Sequence, residues 1–353
     1  MCGIVTICNY TKNLLDYDEK FMTMVSLLAK RGPDHEGYFL TPHCLMAHRR
    51  LSIIDIENGN QPMLYTFNDK IYRITYNGEI YNMMEIKNHL VSLGYTFQTM
   101  SDTEVVLASY IEYQENCLDL FEGIFAFVID DGDKLFVARD PLGVKPLYYY
   151  LEDETIVIAS EIKCILSYIG KAVVDQEGVK ELLGLGPSMT PGHTIYKGIY
   201  SLRPGYYMYF DGHCEPICYW KLHDEEHTDN LEETTQKVKE LVIDSVQKQL
   251  LSDVPLSSML SGGLDSSIIT AITKQYVQPL TTYSITYEDQ EKYFKAYDYQ
   301  TSMDDDYIRE MVERYQSDHH KITLKQLDLL NSLEEALIAR DMPGMADVDS
   351  SFL

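Results

Sequence analysis

The rhythm of apolar and polar positions changes once along this chain of 353 residues. Up to about residue 210 the apolar positions fall mainly in short, strand-length runs. "CGIVTI" (2–7) reads as a strand. Residues 17–30 place Phe21, Met24, Val25 and Leu28 at helical spacing, and Gly32-Pro33 stops the predicted helix. "KIYRITYNGEIYN" and "AFVIDDGDKLFVARD" read as strand pairs turning at Asn77-Gly78 and Asp131-Gly132. Residues 81–93 and 102–114 predict helices. Strands interleaved with a few helices imply an α+β layered domain.

From about residue 231 the spacing lengthens. A long helix carrying Val238, Leu241, Val242, Val246 and Leu250 leads to a strand at 255–260, a helix through 275 and a strand at 280–286. A helix near 305–315, a strand at 319–324 and a final helix follow. Regular alternation of this kind predicts a parallel α/β sheet. The Tyr- and Pro-containing stretch 200–230 is the expected junction. Internal repeats and low-complexity segments are absent from the sequence.

Composition narrows the classes. Hydrophobic residues make up 45% and charged residues 24%, the profile of a globular protein. A net charge of −26 with no basic patch argues against nucleic acid as a partner. No apolar run approaches the ~20 residues of a membrane span, so no membrane partner is expected, and the N-terminus lacks the regions of a signal peptide. Seven cysteines show no C-x-x-C pair and no disulfide framework. A reducing cytoplasm fits that usage.

Two stretches carry chemistry. The chain opens "MCGIVTI", and loss of Met1 would leave the Cys2 thiol beside a free α-amine. With ordinary pKa values of about 8.5 and about 7.7–8.0, such an amine can serve as general base for its own side chain. A packing thiol is the alternative. Further along, "SGGLDSS" (261–267) follows a short apolar strand and precedes a predicted helix. Gly262 and Gly263 let backbone N–H groups turn toward an anion, Ser266 and Ser267 add hydroxyls, and the helix N-terminus adds partial positive charge. Asp265 offers a hard oxygen to Mg²⁺. The G-x-x-x-x-G-K-[ST] pattern and its lysine are absent, which disfavours a γ-phosphate loop. The "SDHH" run at 317–320 invites a metal reading, but adjacent strand residues point to opposite faces, so these histidines are expected to be structural.

"RGPDHEG" (31–37), "AHRRLSIID" (47–55), "YNGEIYN" (76–82), "SDTE" (101–104) and "RDPLGVKPLYY" (139–149) occur in that order. With Cys2 they resemble the N-terminal-nucleophile class II glutamine amidotransferase domain, and the resemblance covers essentially residues 2–210. It implies an αββα sandwich of the Ntn-hydrolase type. It further implies that Cys2 attacks the side-chain amide of glutamine and that the Asn77 amide and Gly78 N–H form the oxyanion hole. Arg50 would clamp the substrate α-carboxylate, Glu79 and Asp102 would hold its α-ammonium, and the backbone of Leu51, Ser52, Ile53 and Ile54 would line the pocket. Each residue also has a plainer reading. Asn77-Gly78 is the sequence of a hairpin turn, Ser101–Glu104 that of a capping box, and Arg50 could lie on the surface.

The setting "SDVPLSSMLSGGLDSS" (252–267) resembles the N-type ATP pyrophosphatase loop. That implies nucleotide contacts from Leu260, Ser261, Gly262, Gly263, Asp265, Ser266 and Ser267, with Ile285 on the next strand. Together the two parts resemble the glutamine-hydrolysing asparagine synthetase family of the bacterial B type. Its domains are expected at 2–210 and 231–353, with 211–230 as junction. Glutamine, aspartate and ATP are the implied partners, with Mg²⁺ and no bound organic cofactor, and a homodimer is admitted as an assembly. The "RDPLGVKPLYY" segment is an expected part of an ammonia channel. The family's later acidic S-G-E-G/C-A-D-E loop and a further lysine are not found before "RDMPGMADVDSSFL" (340–353). The α/β domain is therefore expected to be incomplete at its C-terminus and the chain to perform only the glutaminase half. A paralogue adenylating a different carboxylate, as in β-lactam or lasso-peptide cyclases, and a fragment that only binds nucleotide or a partner are the alternatives.

Overall fold

Side chains that alternate along a strand can be buried on both faces only if both faces are covered, and the first strand shows this at once. β1 (Gly3–Cys8) is buried at every position. The structure is a computed structural model that describes residues 1–296, 298, 302–345 and 351. Contacts divide it into two units, Met1–Asp224 and Glu225–Leu353.

In the first unit β1 is followed by α1 (Asp18–Leu27), β2 (His35–Leu40), β3 (Cys44–Arg50), β4 (Met63–Phe67) and β5 (Lys70–Ile80). Then come α2 (Met83–Ser92), α3 (Asp102–Tyr113), β6 (Gly123–Asp130), β7 (Leu135–Arg139), β8 (Tyr148–Glu152) and β9 (Thr155–Ala159). α4 (Ile162–Ile169), α5 (Gln176–Leu185), β10 (Ile199–Ser201), β11 (Tyr206–Phe210) and β12 (Ile217–Cys218) complete it. The strands form two six-stranded sheets, ordered β10-β8-β9-β1-β3-β2 and β12-β11-β7-β6-β5-β4.

The layers follow from the two-residue period. On β6, Ala126 and Val128 join Ile4, Cys8, Met46 and Ile158 in the core between the sheets. Phe125, Phe127 and Ile129 point the other way and join Val105, Val106 and Tyr110 under α2 and α3. α1 and α4 pack on each other and on the outer face of the first sheet, α1 burying Phe21, Met24 and Val25. The unit is the expected αββα sandwich.

Two local expectations are corrected. Asn77-Gly78 is not a turn: β5 runs straight through it, with Asn77 opposite Ala126 and Gly78 opposite Phe125. The tight turn of this hairpin is Asn68-Asp69, both at positive φ (49° and 62°), the geometry of a two-residue type I′ loop. Gly78 is glycine because a Cβ there would stand 2.6 Å from the Ile124 carbonyl oxygen. The capping box is only half formed. Ser101 caps α3 through the Thr103 N–H, but Glu104 turns away and accepts from the N–H groups of Gln98 and Thr99. At Asp131-Gly132 the turn is as expected, Asp131 Oδ1 accepting from the N–H groups of Asp133 and Lys134.

The second unit runs α6 (Leu231–Lys248), β13 (Ser257–Met259), α7 (Leu264–Tyr276), β14 (Thr281–Tyr287), α8 (Gln290–Tyr293), α9 (Asp305–Tyr315), β15 (Asp318–Leu324) and α10 (Gln326–Arg340). Its strands form a parallel sheet, β13-β14-β15. Half of the last segment, 340–353, namely 346–350 with 352 and 353, lies outside the described residues.

Phe136 anchors the helix-side core of the first unit. It is fully buried, stacks on Tyr110 at 4.8 Å and meets Phe127, Tyr207 and Tyr209. Phe136→Ala should destabilise that unit by about 3–5 kcal/mol. Urea unfolding followed by fluorescence and far-UV dichroism measures this, and a loss below about 1 kcal/mol would show that the aromatic cluster is not the anchor.

Candidate active site

The N-terminal strand, the end of β3 and the far half of β5 converge on one cavity of about 110 Å³. Cys2, Arg50, Leu51, Ile53, Ile54, Asn77, Gly78, Glu79 and Asp102 all line it. Ser52 does not. Its N–H instead donates to Asp34 at 2.7 Å, which fixes the turn out of β3. Lining residues that the sequence did not single out are Gly59, Gln61, Tyr76, Thr103 and Lys145.

Cys2 stands just before β1. Its Sγ accepts from the Leu51 N–H at 3.4 Å, and its carbonyl accepts from Arg31 Nε at 2.9 Å. Gly3 has no side chain because a Cβ would meet Leu28 at 2.9 Å. Burial pushes the thiol pKa up, whereas the Leu51 N–H and the charges of the terminal amine, Lys145 and Arg50 pull it down. The terminal amine, here on Met1, is lowered chiefly by burial. Both trends favour a neutral amine and a retained thiol proton at rest.

Asn77 extends from β5 with a buried Nδ2 that has no hydrogen-bond partner. A buried N–H without an acceptor costs about 1–3 kcal/mol. It is therefore an open donor in the cavity that holds the thiol. Its neighbour Tyr76 is held firmly. The Gln61 side chain accepts from the Tyr76 N–H at 2.6 Å and donates to its carbonyl at 3.1 Å. His48 Nε2 donates to the same carbonyl at 2.9 Å, and burial lowers this imidazole to about 3, so it stays neutral.

The Tyr76 hydroxyl donates to Asp102 Oδ2 at 2.6 Å, and the Ile80 N–H reaches the same oxygen at 3.1 Å. Burial raises the Asp102 carboxyl to about 6, with the Glu79 charge adding to it and the donated hydrogen bonds opposing. Glu79 is raised by burial and pulled back by Lys145 and the terminal amine.

Arg50 departs from the expected clamp. Its two terminal nitrogens donate to the carbonyls of Ile54 (2.9 Å), Asp55 (2.6 Å) and Ile56 (2.9 Å) and to Asn60 Oδ1 (3.1 Å). The guanidinium is thus the hub of loop 51–60, and a two-pronged grip on a carboxylate requires some of these bonds to be exchanged.

In the second unit Leu260, Ser261 and Ile285 line one cavity of about 230 Å³, together with Asp304, Ile308 and Lys321. Gly262 adopts φ 81°, and a Cβ there would lie 2.8 Å from the Asp304 carbonyl oxygen. Gly263 caps α7, and Ser266 Oγ binds Ser261 N (3.2 Å), Ser261 Oγ (3.0 Å) and the Gly263 carbonyl (3.1 Å). Gly262, Gly263, Asp265, Ser266 and Ser267 do not line the cavity. Among the described residues no three His, Cys, Asp or Glu side chains form a metal cage. Asp265 is a single exposed carboxylate, which suits Mg²⁺ only when phosphate oxygens supply further ligands. His319 bonds Thr282 and Ser284 while His320 stacks on Tyr283, so the pair does face opposite ways.

Comparison with known proteins adds independent findings. Residues 1–220 match the family described as glutamine amidotransferase domain, and residues 237–353 that described as asparagine synthase. The chain is 46% identical over 362 residues to asparagine synthetase [glutamine-hydrolyzing] 3 of Bacillus subtilis, covering 100% of this chain and 59% of that protein. It is 32% identical over 370 residues to the putative asparagine synthetase [glutamine-hydrolyzing] 2 of Methanocaldococcus jannaschii, covering 97% and 68%. Asparagine synthetase B [glutamine-hydrolyzing] of Escherichia coli is 32% identical over 280 residues, covering 78% and 45%. The chain thus spans roughly half to two-thirds of the length of these relatives.

Asp102 gives this site a pH signature. Its folded value of about 6 lies above the ~3.9 of an unfolded aspartate. The native state therefore holds the extra proton between about pH 4 and 6, and the carboxyl's contribution to stability is lost as pH rises through that window. His48 acts oppositely, since its lowered value costs stability as pH falls below about 6.5. A comparison with Asp102→Asn removes the His48 part. The stability of the parent relative to this variant should fall from pH 4 to pH 6 and level off above pH 7, measured by chemical denaturation. A flat difference would mean that Asp102 titrates normally.

Proposed function

Because this chain belongs to the glutamine-hydrolysing asparagine synthetase family, we propose that its first unit releases ammonia from glutamine and its second binds ATP to activate aspartate. The observation that carries the first half is the open Asn77 Nδ2 in the cavity of the Cys2 thiol. In this reading Met1 is removed, and the Cys2 α-amine takes the thiol proton as sulfur attacks the amide carbon of glutamine. The carbonyl electron pair moves onto oxygen, where Asn77 Nδ2 and the Gly78 N–H receive it. Collapse breaks the C–N bond, ammonia leaves with the proton returned by the amine, and water hydrolyses the thioester to glutamate. Asp102 and Glu79 hold the substrate α-ammonium, and Arg50 supplies positive charge toward its carboxylate while shaping loop 51–60.

In the second half, the β-carboxylate of aspartate attacks the α-phosphate of ATP and pyrophosphate departs. Ammonia then displaces AMP from the acyl-adenylate to give asparagine. A free carboxylate is a poor electrophile, and adenylation supplies the leaving group. Leu260, Ser261 and Ile285 contact the nucleotide, and the glycines and the α7 N-terminus face its phosphates. Asp265 would hold Mg²⁺, which would supply neutralisation of phosphate charge. The seven free thiols support a reducing, cytoplasmic setting, and no helix among the described residues is long and apolar enough to cross a membrane.

The test is ammonia and glutamate release from glutamine. Cys2→Ala should abolish it, and intact mass should show the active chain starting at Cys2. Asn77→Ala should lower kcat by about 10²–10³ with little change in KM. Arg50→Ala should raise KM more than it lowers kcat. Unchanged kcat in Asn77→Ala would remove that side chain from the oxyanion hole.

For the second unit, Gly262→Ala meets both a strained φ and the Asp304 carbonyl. It should weaken Mg-ATP binding at least ten-fold, about 1.4 kcal/mol, by calorimetry. Parent-like affinity would place the nucleotide elsewhere.

A further inference from the structure

Lys145 lies in the segment between β7 and β8, and a buried carboxylate and a half-buried guanidinium fix that segment. Asp140, fully buried, accepts from the N–H groups of Phe125 (3.3 Å), Leu142 (3.1 Å), Val144 (2.9 Å) and Lys145 (3.0 Å). Arg139 donates to the carbonyls of Lys145 (2.7 Å), Gly143 (2.7 Å) and Leu202 (2.6 Å) and to Ser201 Oγ (2.9 Å). The Lys145 backbone is therefore tied at both its N–H and its carbonyl. Gly143 makes the turn at φ 67°, against Pro204.

From this fixed base the side chain runs inward. Lys145 is 7% exposed and lines the cavity of Cys2, Asn77 and Glu79. Among the described residues no hydrogen-bond acceptor or ion-pair partner holds its ammonium. A buried cation is costly unless something negative shares its site, and Glu79 lines the same cavity. The Lys145 charge acts on the Cys2 thiol, the terminal amine and Glu79, and it pulls the thiol down more than Arg50 does. The other charged groups here are Asp102, which lines the same cavity from the start of α3, Arg50 from β3, which bears on the thiol, and Arg31 and Asp34, which bear on the amine.

We propose that Lys145 takes part directly in glutamine hydrolysis, its ammonium stabilising the Cys2 thiolate from the same cavity as the proton leaves sulfur. This rests on the reading of Cys2 as nucleophile. In the step itself the S–H proton passes to the α-amine, the freed sulfur pair forms the S–C bond, and the carbonyl pair moves to oxygen. Lys145 keeps its proton throughout. Its nearby charge also keeps the amine neutral and ready to accept at rest, while opposing the ammonium formed in the step, so its productive effect is on the thiolate.

The test uses the full chain and two readouts. Alkylation of Cys2 by iodoacetamide, resolved by peptide mass spectrometry from pH 6 to 10, reports the thiol without substrate. Lys145→Met should move its midpoint to higher pH and slow alkylation at neutral pH about ten-fold. It should also lower kcat for glutamine at least ten-fold with little change in KM, and Lys145→Arg should restore most of both. Lys145→Gln, which keeps polarity without charge, should behave as Lys145→Met and replaces it if the latter loses its thermal transition. A parent-like alkylation midpoint in the uncharged variants, or failure of arginine to restore it, overturns the proposal. Residual hydrolysis in Cys2→Ala would instead overturn the nucleophile assignment, and the alkylation profile would still decide whether Lys145 acts on the thiol.

Discussion

The backbone of Tyr76 is gripped from two directions, and the geometry of the first site depends on that grip. Gln61 lies alongside it like a neighbouring strand, accepting from its N–H and donating to its carbonyl, while the neutral His48 adds a second donor to the same oxygen. The phenol then reaches Asp102. Asn77 and Gly78 come next in the chain, so their positions follow from a peptide unit that cannot rotate without breaking three hydrogen bonds. A donor meant for charge that exists only briefly has to be placed beforehand, because reorganisation during the step would consume the stabilisation it gives.

The same molecule solves the problem of shaping irregular backbone twice, and in the same manner. Loop 51–60 closes around the Arg50 guanidinium, whose terminal nitrogens collect three carbonyls and an amide oxygen. Segment 139–145 closes around Arg139 and Asp140, which collect carbonyls and N–H groups respectively. Loops lack a ladder to satisfy their own polar groups, and a buried ion with several donors or acceptors replaces that ladder. Each loop delivers cavity-lining residues: Leu51, Ile53 and Ile54 from one and Lys145 from the other. Gly59 shows how closely the first loop is drawn in, since a Cβ there would overlap the Arg50 guanidinium at 2.2 Å.

What the sequence made legible was whatever repeats with a period. The helix of Phe21, Met24, Val25 and Leu28 and the βα alternation after residue 231 were read correctly because burial imposes 3.6- and 2-residue spacing on them. Asn77-Gly78 was misread as a turn because its residue types suit a type I′ loop, yet pairing with β6 holds it extended. Here tertiary pairing overrode local preference, and the glycine answers to Ile124 rather than to φ. The true turn, Asn68-Asp69, has the same chemistry without glycine and so carried a weaker signal. Motif order assembled most of the first cavity, but Gln61 and Lys145 were not found: Gln61 bonds a distant backbone and Lys145 comes in on an irregular loop, and neither leaves a periodic trace.

The second unit shows where motif reading and geometry part company. SGGLDSS was read as a surface of N–H and hydroxyl groups presented to phosphate, yet Ser266 spends its hydroxyl inside the loop, joining Ser261 to the Gly263 carbonyl. That leaves Ser266 a role in shape: it holds the turn in which Gly262 adopts positive φ beside Asp304. The cavity next to it is lined by Leu260, Ser261, β14 and the start of α9. A nucleotide spanning both places would set its less polar part among Leu260, Ile285 and Ile308 and its phosphates toward the exposed glycines and the α7 N-terminus. In an acidic chain of net charge −26 the phosphates then depend on backbone dipoles and Mg²⁺ for their neutralisation. On that reading the loop's glycines, rather than its serines, would be the residues on which the site turns.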